Sequence, residues 1–337
     1  MKTDRILIIG NGPSAGVLAG VGFANLSPSI DTFGMGAAYR YYREVGWWPT
    51  YYALGDRKVA FSHRQALRDV VEDPEVGTER FFLAWPVSDS SRLEVIDHTS
   101  TGDFCLKKAA ELGYTQIYLI GIEGDYVEEL PESRPLTSYE YFELGFDELE
   151  LSANDRSSLR IIHTDPIDNP NYFFPTYQMR GDVYSLPQSH RHRERWSSAA
   201  ALVGGGRAQV VNLSPTSRIA DVPKSSIVRM AQELLADPDD LLASMNADWL
   251  RRAELNTPTG ATSMWVGPFD RSERKRVDES AAIRQLFTAG ALTTSLMPTM
   301  IDVGACKGGA FRDFARESWD LEVPTEICSI SAISWCR

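Results

Sequence analysis

Three stretches of the chain carry residue types and spacings able to do chemistry. The first is Gly10-Asn11-Gly12-Pro13-Ser14, which follows the apolar run Ile6-Leu7-Ile8-Ile9. An uninterrupted apolar run suits a strand covered on both faces, as in a parallel sheet. The turn puts Gly10 and Gly12 where backbone approaches a ligand closely, and Ser14 where it caps a helix of small residues starting at Ala15. Such a strand–turn–helix junction is a ready site for a phosphate or nucleotide. It is not a Walker loop, because no Gly-Lys-Ser/Thr follows, and Ala15 breaks the Gly-x-Gly-x-x-Gly pattern. The second stretch, 164–196, is long, polar and aromatic, with Tyr172, Tyr177, His190, His192 and Trp196. Long segments without a regular pattern are functional or disordered, and this one is too rich in Tyr, Phe and Asn for disorder. Its histidines are suited to moving a proton near neutral pH, since the unperturbed imidazole titrates at ~6.5. The third stretch, 122–150, is acidic and predicts a solvated, partly mobile lid rather than a metal site.

Elements that must position these residues alternate along the chain. Strand patterns fall at 5–10, 31–35, 50–55, 59–62, 80–84, 116–121, 160–163 and 208–213. Helical patterns fall at 14–24, 37–45, 63–70, 101–113, 193–203 and 225–236. This alternation predicts an α/β fold: a Rossmann-like, mostly parallel sheet with helices on both faces. Ligands in such sheets lie at the carboxyl ends of the strands, here the turn 10–14 and the loops after 35, 121 and 164. The aromatic run Tyr39-Arg40-Tyr41-Tyr42 with Trp47, Trp48, Tyr51 and Tyr52 is expected to fill the core.

Charge and composition exclude several classes. The net charge of −12 argues against nucleic acid as a partner, because phosphate backbones need a basic face. No stretch approaches the ~20 apolar residues of a membrane span, and the first residues run into a strand with no secretory pattern, so a cytoplasmic protein is expected. None of the 4 cysteines pairs at Cys-x-x-Cys spacing, so neither zinc nor a disulfide framework is indicated. Residues 254–275, rich in Pro, Gly and Ser/Thr, read as a linker.

The opening Gly10-Asn11-Gly12-Pro13-Ser14, together with His98-Thr99-Ser100-Thr101-Gly102 and Leu112-Gly113-Tyr114 leading to Ile117-Tyr118-Leu119-Ile120-Gly121-Ile122-Glu123, resembles bacterial sialyltransferases of the Campylobacter type. The likeness covers roughly residues 4–230, more thinly between 57 and 97. The chain is also similar to a broader bacterial group on the same core, some of it resembling an archaeal pterin diphosphokinase and often fused to FkbM-type methyltransferases. The resemblance implies a GT-A-variant fold and an inverting, metal-independent transfer from a nucleotide-sugar donor, with a CMP-activated sialic-acid-like or ulosonic acid as the expected donor. The acceptor would be a surface glycan or glycolipid. It implies a histidine general base between the Gly-Ile-Glu loop and the last core strand, for which His190 and His192 both fit, His190 slightly the better. It implies tyrosine hydroxyls on the leaving phosphate: Tyr126, with Tyr172 and Tyr177 as alternatives. Gly10, Asn11, Gly12, Ser14, Ser100, Thr101, Gly102 and Glu123 would line the donor site, and no metal or separate cofactor is called for. Two departures stand out. Glu123 replaces an Asp, and Gly36 falls where the relatives carry an Asn that touches the donor, which removes one polar contact.

Residues 299–311 resemble the first motif of an FkbM-type methyltransferase, Ile301-Asp302-Val303-Gly304-Ala305 leading to Gly308-Gly309. A complete domain of that kind needs ~150 residues or more, so S-adenosylmethionine is not expected to bind. The organisation expected is a nucleotide-sugar-binding domain over 1–253, a linker over 254–296 and a truncated methyltransferase start over 297–337. Two other functions stay open: a non-catalytic nucleotide-binding module of polysaccharide assembly, and a pyrophosphokinase-like phosphotransferase.

Overall fold

The computed structural model describes residues 3–238 apart from 98–99, 167–168, 207, 215 and 228. The expected linker and the methyltransferase-like segment lie outside the described residues. In chain order the elements are β1 (Arg5–Ile9), α1 (Gly16–Val21), β2 (Asp31–Met35), α2 (Tyr39–Val45), β3 (Tyr51–Leu54), α3 (Arg57–Ser62), α4 (Arg64–Glu72), β4 (Arg80–Leu83), β5 (Leu93–Val95), α5 (Thr101–Glu111) and β6 (Gln116–Ile120). They continue with β7 (Ser133–Pro135), α6 (Ser138–Glu143), α7 (Ala153–Ser158), β8 (Leu159–Ile162), β9 (Val183–Ser185), α8 (Ser189–Gly204), β10 (Gln209–Asn212) and α9 (Ala231–Leu234).

Seven strands form one sheet in the order β10-β6-β1-β2-β3-β4-β5, with every pairing parallel. In β1, Ile6 and Ile8 point to one face while Leu7 and Ile9 point to the other, and all four are fully buried. Helices α5 and α8 cover the first face with Cys105, Leu106, Ala109, Trp196, Ala199 and Val203. Helices α1, α2 and α4 cover the second with Leu18, Tyr42, Leu67 and Val70. Tyr39, Tyr42, Tyr51 and Tyr52 are buried, so this part of the aromatic run fills the core. The fold is therefore an α/β layered sheet with helices on both faces. From β1 the chain steps outward to β5, then crosses back to β6 on the other side of β1. The carboxyl end of β1 is thus the point where connections diverge, the place where such sheets open a crevice.

Between β6 and β10 lies an insert that the sequence reading did not anticipate. Its strands form a separate antiparallel sheet in the order β7-β8-β9. Tyr141, Phe146, Leu149, Leu159 and Val183 pack with Phe61 of α3 into a small core of their own. The acidic stretch 122–150 is thus built structure rather than a solvated lid. Its charges sit between apolar anchors, and Thr137 with Glu140 closes a capping box on α6. Residues 59–62, expected as a strand, are helical because Asp56 accepts hydrogen bonds from the Lys58 and Val59 amides and starts α3. The expected helix 225–236 shortens to α9, whereas α8 begins at Ser189, four residues before its predicted start.

Candidate functional site

A cavity of about 470 Å³ opens over the carboxyl ends of β1, β2, β3 and β6, walled on the far side by the insert and α8. That volume is in the range that takes a small ligand. Gly10, Asn11, Gly12, Ser100, Thr101 and Gly102 border it from the sheet side, with Glu123 and Tyr126 on the loop after β6. Tyr172, Tyr177 and His192 border it from the insert and α8.

The turn after β1 differs from the expected phosphate cradle. A Cβ on Gly10 would collide with the Gly121 carbonyl, and one on Gly12 would strike the Glu123 carboxylate. The missing side chains of these glycines therefore make room for the loop after β6. Glu123 Oε1 accepts the Ser14 amide at 2.9 Å, so a carboxylate already occupies the donor that a phosphate would use. Burial pushes the Glu123 carboxyl above the usual carboxylate range, against the hydrogen bonds from Ser14 that hold it down. Ser14 does not line the cavity and does not cap α1, because Pro13–Ala15 form a 3₁₀ turn ahead of that helix. Its hydroxyl instead meets Ser214 Oγ at 2.6 Å and accepts the Gly121 amide at 2.9 Å, joining three strand ends.

The loop after β6 is held by side chains rather than by a ladder. Asn171 accepts the Val127 amide at 2.7 Å and donates to the Val127 carbonyl at 2.9 Å. Ser189, the first residue of α8, accepts the Tyr126 amide at 3.1 Å, while the Ser189 amide donates to Glu128 at 3.0 Å. These bonds set the Tyr126 ring beside that of His192, with centroids 5.1 Å apart. The structure thus separates the two candidate histidines. His192 is partly buried and faces the cavity, whereas His190, two residues earlier, is exposed and does not border it. Desolvation, then the charge of Arg195, lowers the His192 pKa, so its imidazole is neutral at pH 7.

Tyr172 and Tyr177 stack with centroids 3.6 Å apart. Burial raises the pKa of Tyr177 to about 12 and lifts those of Tyr126 and Tyr172 as well, so all three phenols keep their protons and can donate them in hydrogen bonds. Gly36 sits at φ +71 with no room for a side chain. The Tyr177 hydroxyl takes that space and accepts from Asn11 Nδ2 at 3.3 Å. On the opposite side, Gly102 lets the buried Trp196 indole lie directly on the start of α5.

Behind the tyrosines is a network that sequence reasoning missed. Arg40 holds Asp182 with two hydrogen bonds, at 2.6 and 2.8 Å, and donates to the Tyr177 carbonyl at 2.9 Å. His63 Nδ1 meets the Tyr39 hydroxyl at 3.0 Å, with Nε2 3.6 Å from Asp182. Burial drives the His63 pKa down to about 4, so the ring is neutral despite its acidic neighbour. Asn169, Asn171, Ser189, Asp182, Arg40 and His63 are residues from distant parts of the chain. Only the Asn-Pro-Asn-Tyr-Phe wording at 169–173 offered a local hint of them. Among the described residues no group of three or more His, Cys, Asp or Glu side chains is placed to hold a metal ion.

No protein-family model matches this chain, and no curated protein matches it. Structural similarity is found to the sialyltransferase CstII from Campylobacter jejuni in complex with the substrate analogue CMP-3FNeuAc, at 14% identity and a TM-score of 0.35, covering 66% of this chain and 85% of that one. Sialyltransferase CST-II in complex with a trisaccharide acceptor and CMP is similar at 13% identity and a TM-score of 0.35, covering 65% and 84%. The monofunctional α-2,3-sialyltransferase Cst-I from Campylobacter jejuni is similar at 15% identity and a TM-score of 0.35, covering 66% and 79%. At these levels the roles of individual residues rest on the geometry of this chain alone.

Proposed function

We propose that this chain is a glycosyltransferase that moves a sugar from a nucleotide-activated donor to a hydroxyl of a glycan or glycolipid acceptor, with inversion and without a metal ion. The observation that carries this reading is the convergence of His192, Tyr126, Tyr172 and Tyr177 on one cavity at the carboxyl ends of β1 and β6. His192, neutral at pH 7, takes the proton of the acceptor hydroxyl. The acceptor oxygen then bonds to the anomeric carbon as the bond from that carbon to the phosphate oxygen breaks. The developing phosphate charge is met by protonated phenols, whose raised pKa values keep them donors. Glu123, on the cavity floor beside Gly12, is suited to sugar or ribose hydroxyls. A CMP-activated sialic-acid-like or ulosonic acid is the donor this reading favours.

A thermal-shift screen of the full chain against CMP, UDP, GDP and ATP, with and without Mg²⁺, tests it. A ligand that binds the native state raises the midpoint by mass action. The expected result is a rise with CMP that excess EDTA leaves unchanged. A rise only with ATP and Mg²⁺ would overturn the reading in favour of phosphoryl transfer.

A further inference from the structure

Helix α8 turns an unusual face toward the cavity. Gln188, just before its first residue, then Arg191, His192, Arg195 and Trp196 all border the cavity, the i, i+3, i+4, i+7, i+8 spacing of one helix face. An inward face of this kind is ordinarily apolar. Here Trp196 supplies the buried end, and two guanidinium groups stand at the mouth.

Among the described residues, the other carboxylates, lysine and arginines around the cavity each have an ion-pair or hydrogen-bond partner. Asp155 pairs with Lys58 at 3.1 Å, and Asp182 pairs with Arg40. Asp125 pairs with Arg193 and Arg218 at 3.4 and 3.2 Å. Asp56 is engaged by the amides that open α3, and Glu123 by the Ser14 amide. Arg193, between the two arginines in sequence but on a different face, is thus bound within the protein. Among the described residues Arg191 and Arg195 make no ion pair, in a chain whose net charge is −12. Residues four apart on a helix lie about 5–6 Å apart at Cβ, so both forks reach one anionic group.

We propose that Arg191 and Arg195 form an anion subsite at the mouth of the cavity, which holds a carboxylate or phosphate group of the substrate beside His192. The proposal rests on reading this cavity as the substrate site. The tyrosines and the carboxylate of Glu123 offer no positive charge, and Lys58 is already committed. A negatively charged part of either substrate therefore finds its free counter-charge on α8. A group held there lies next to the ring that receives the acceptor's proton. The same chemistry fits the phosphate of a nucleotide donor or the acid group of an acidic sugar.

Ligand-observed NMR titrations of the full chain with two probe pairs test this: CMP against cytidine, and glucuronate against glucose. In the native protein the charged member of at least one pair should bind about tenfold more tightly or better, the value of one charge-assisted hydrogen bond. In the Arg191→Gln/Arg195→Gln double variant that preference should shrink to under about twofold, with the neutral member unchanged. Both side chains are exposed, so the variant should keep the native far-UV CD spectrum. The Arg191→Glu/Arg195→Glu variant should invert the preference. A response in the CMP pair assigns the subsite to the donor phosphate, and one in the glucuronate pair assigns it to an acidic acceptor. No preference in either pair, or one that survives in the double variant, overturns the proposal. If cytidine and CMP both fail to bind while the glucuronate pair responds, the nucleotide-donor reading fails and the subsite stands.

Discussion

The two walls of the cavity are made in different ways. The sheet wall is set by backbone: β1, β2 and β6 are parallel, and their fully buried Ile, Leu and Phe side chains fix where each strand ends. The opposite wall, from 126 to 196, is set by side chains that bond across long stretches of sequence. Asn171 holds the Val127 peptide, Ser189 the Tyr126 amide, and Arg40 the Tyr177 carbonyl through a hub at Asp182. The first wall carries the glycines and a carboxylate, while the second carries the imidazole, the stacked phenols and the unpaired guanidiniums. Rigidity on one side and proton-handling groups on the other make a testable division: damage to the second wall should cost chemistry before it costs the fold.

The sharpest break in that division is at His192. Changing it to Ala should lower kcat by roughly 10²–10⁴, the usual contribution of a positioned base, while nucleotide affinity and the thermal midpoint stay close to native. His190→Ala, on the exposed side of the same helix turn, should change neither. In the native enzyme kcat/KM should rise with pH through an ascending limb centred below the ordinary histidine value of ~6.5. Desolvation and Arg195 lower that pKa, while Asp56, Asp103 and Glu128 oppose them. A limb centred above that value, or full activity in His192→Ala, removes His192 from the mechanism.

Next in size is the buried histidine behind the tyrosines. The unfolded chain takes up a proton on His63 near pH 6.5, whereas the folded ring resists until about 4. Between these values the unfolded state binds more protons, so stability is complete above pH 6.5 and falls as the pH drops toward 4. A shift of this size corresponds to about 3 kcal/mol. Urea unfolding at about pH 7 and about pH 4.5 should show that loss in the native chain and a markedly flatter dependence in His63→Gln. Equal slopes would mean that the folded imidazole charges as easily as the unfolded one.

How far the two walls could be read in advance follows from the same difference. The apolar run 6–9 and its counterparts at 31–35 and 116–120 announce a parallel sheet locally, and the sheet formed in those places. Of the insert only β8 gave such a signal, at 160–163, and nothing marked it as the middle of a separate antiparallel sheet. The insert's three strands have three or four residues each, and its small core gathers Phe61 with residues from 141 to 183. The glycines at 10 and 12 were legible as a close approach, but what approaches is the loop after β6: the Gly121 carbonyl at Gly10, and at Gly12 the carboxylate of Glu123, 111 residues downstream. Spacing alone admitted both histidines and slightly favoured His190, the one that does not border the cavity. They separate only because α8 begins at Ser189, which fixes the face that each histidine presents. The Arg40–Asp182–His63 hub joins three elements and has no local pattern at all.

The smallest expected effect concerns Asp56, which belongs to both descriptions at once. It borders the cavity at the end of β3, and its Oδ1 accepts the Lys58 and Val59 amides at 2.9 and 3.3 Å to start α3. Loss of such a cap costs typically ~1 kcal/mol, whereas Asn and Ser cap nearly as well as Asp. If Asp56 serves only the fold, Asp56→Ala should lower stability by about that amount, and Asp56→Asn should restore it with native ligand affinity. If its charge also faces the substrate, Asp56→Asn should keep the stability yet tighten anion binding, because one negative charge has left the cavity. Parallel urea unfolding and CMP titration of the two variants separate these outcomes. Helix α3 leads directly to His63, so a frayed first turn would also loosen the hub behind the tyrosines. Coupled losses of stability and turnover in Asp56→Ala, both recovered in Asp56→Asn, would show that the sheet wall reaches the chemistry through this helix start rather than through charge.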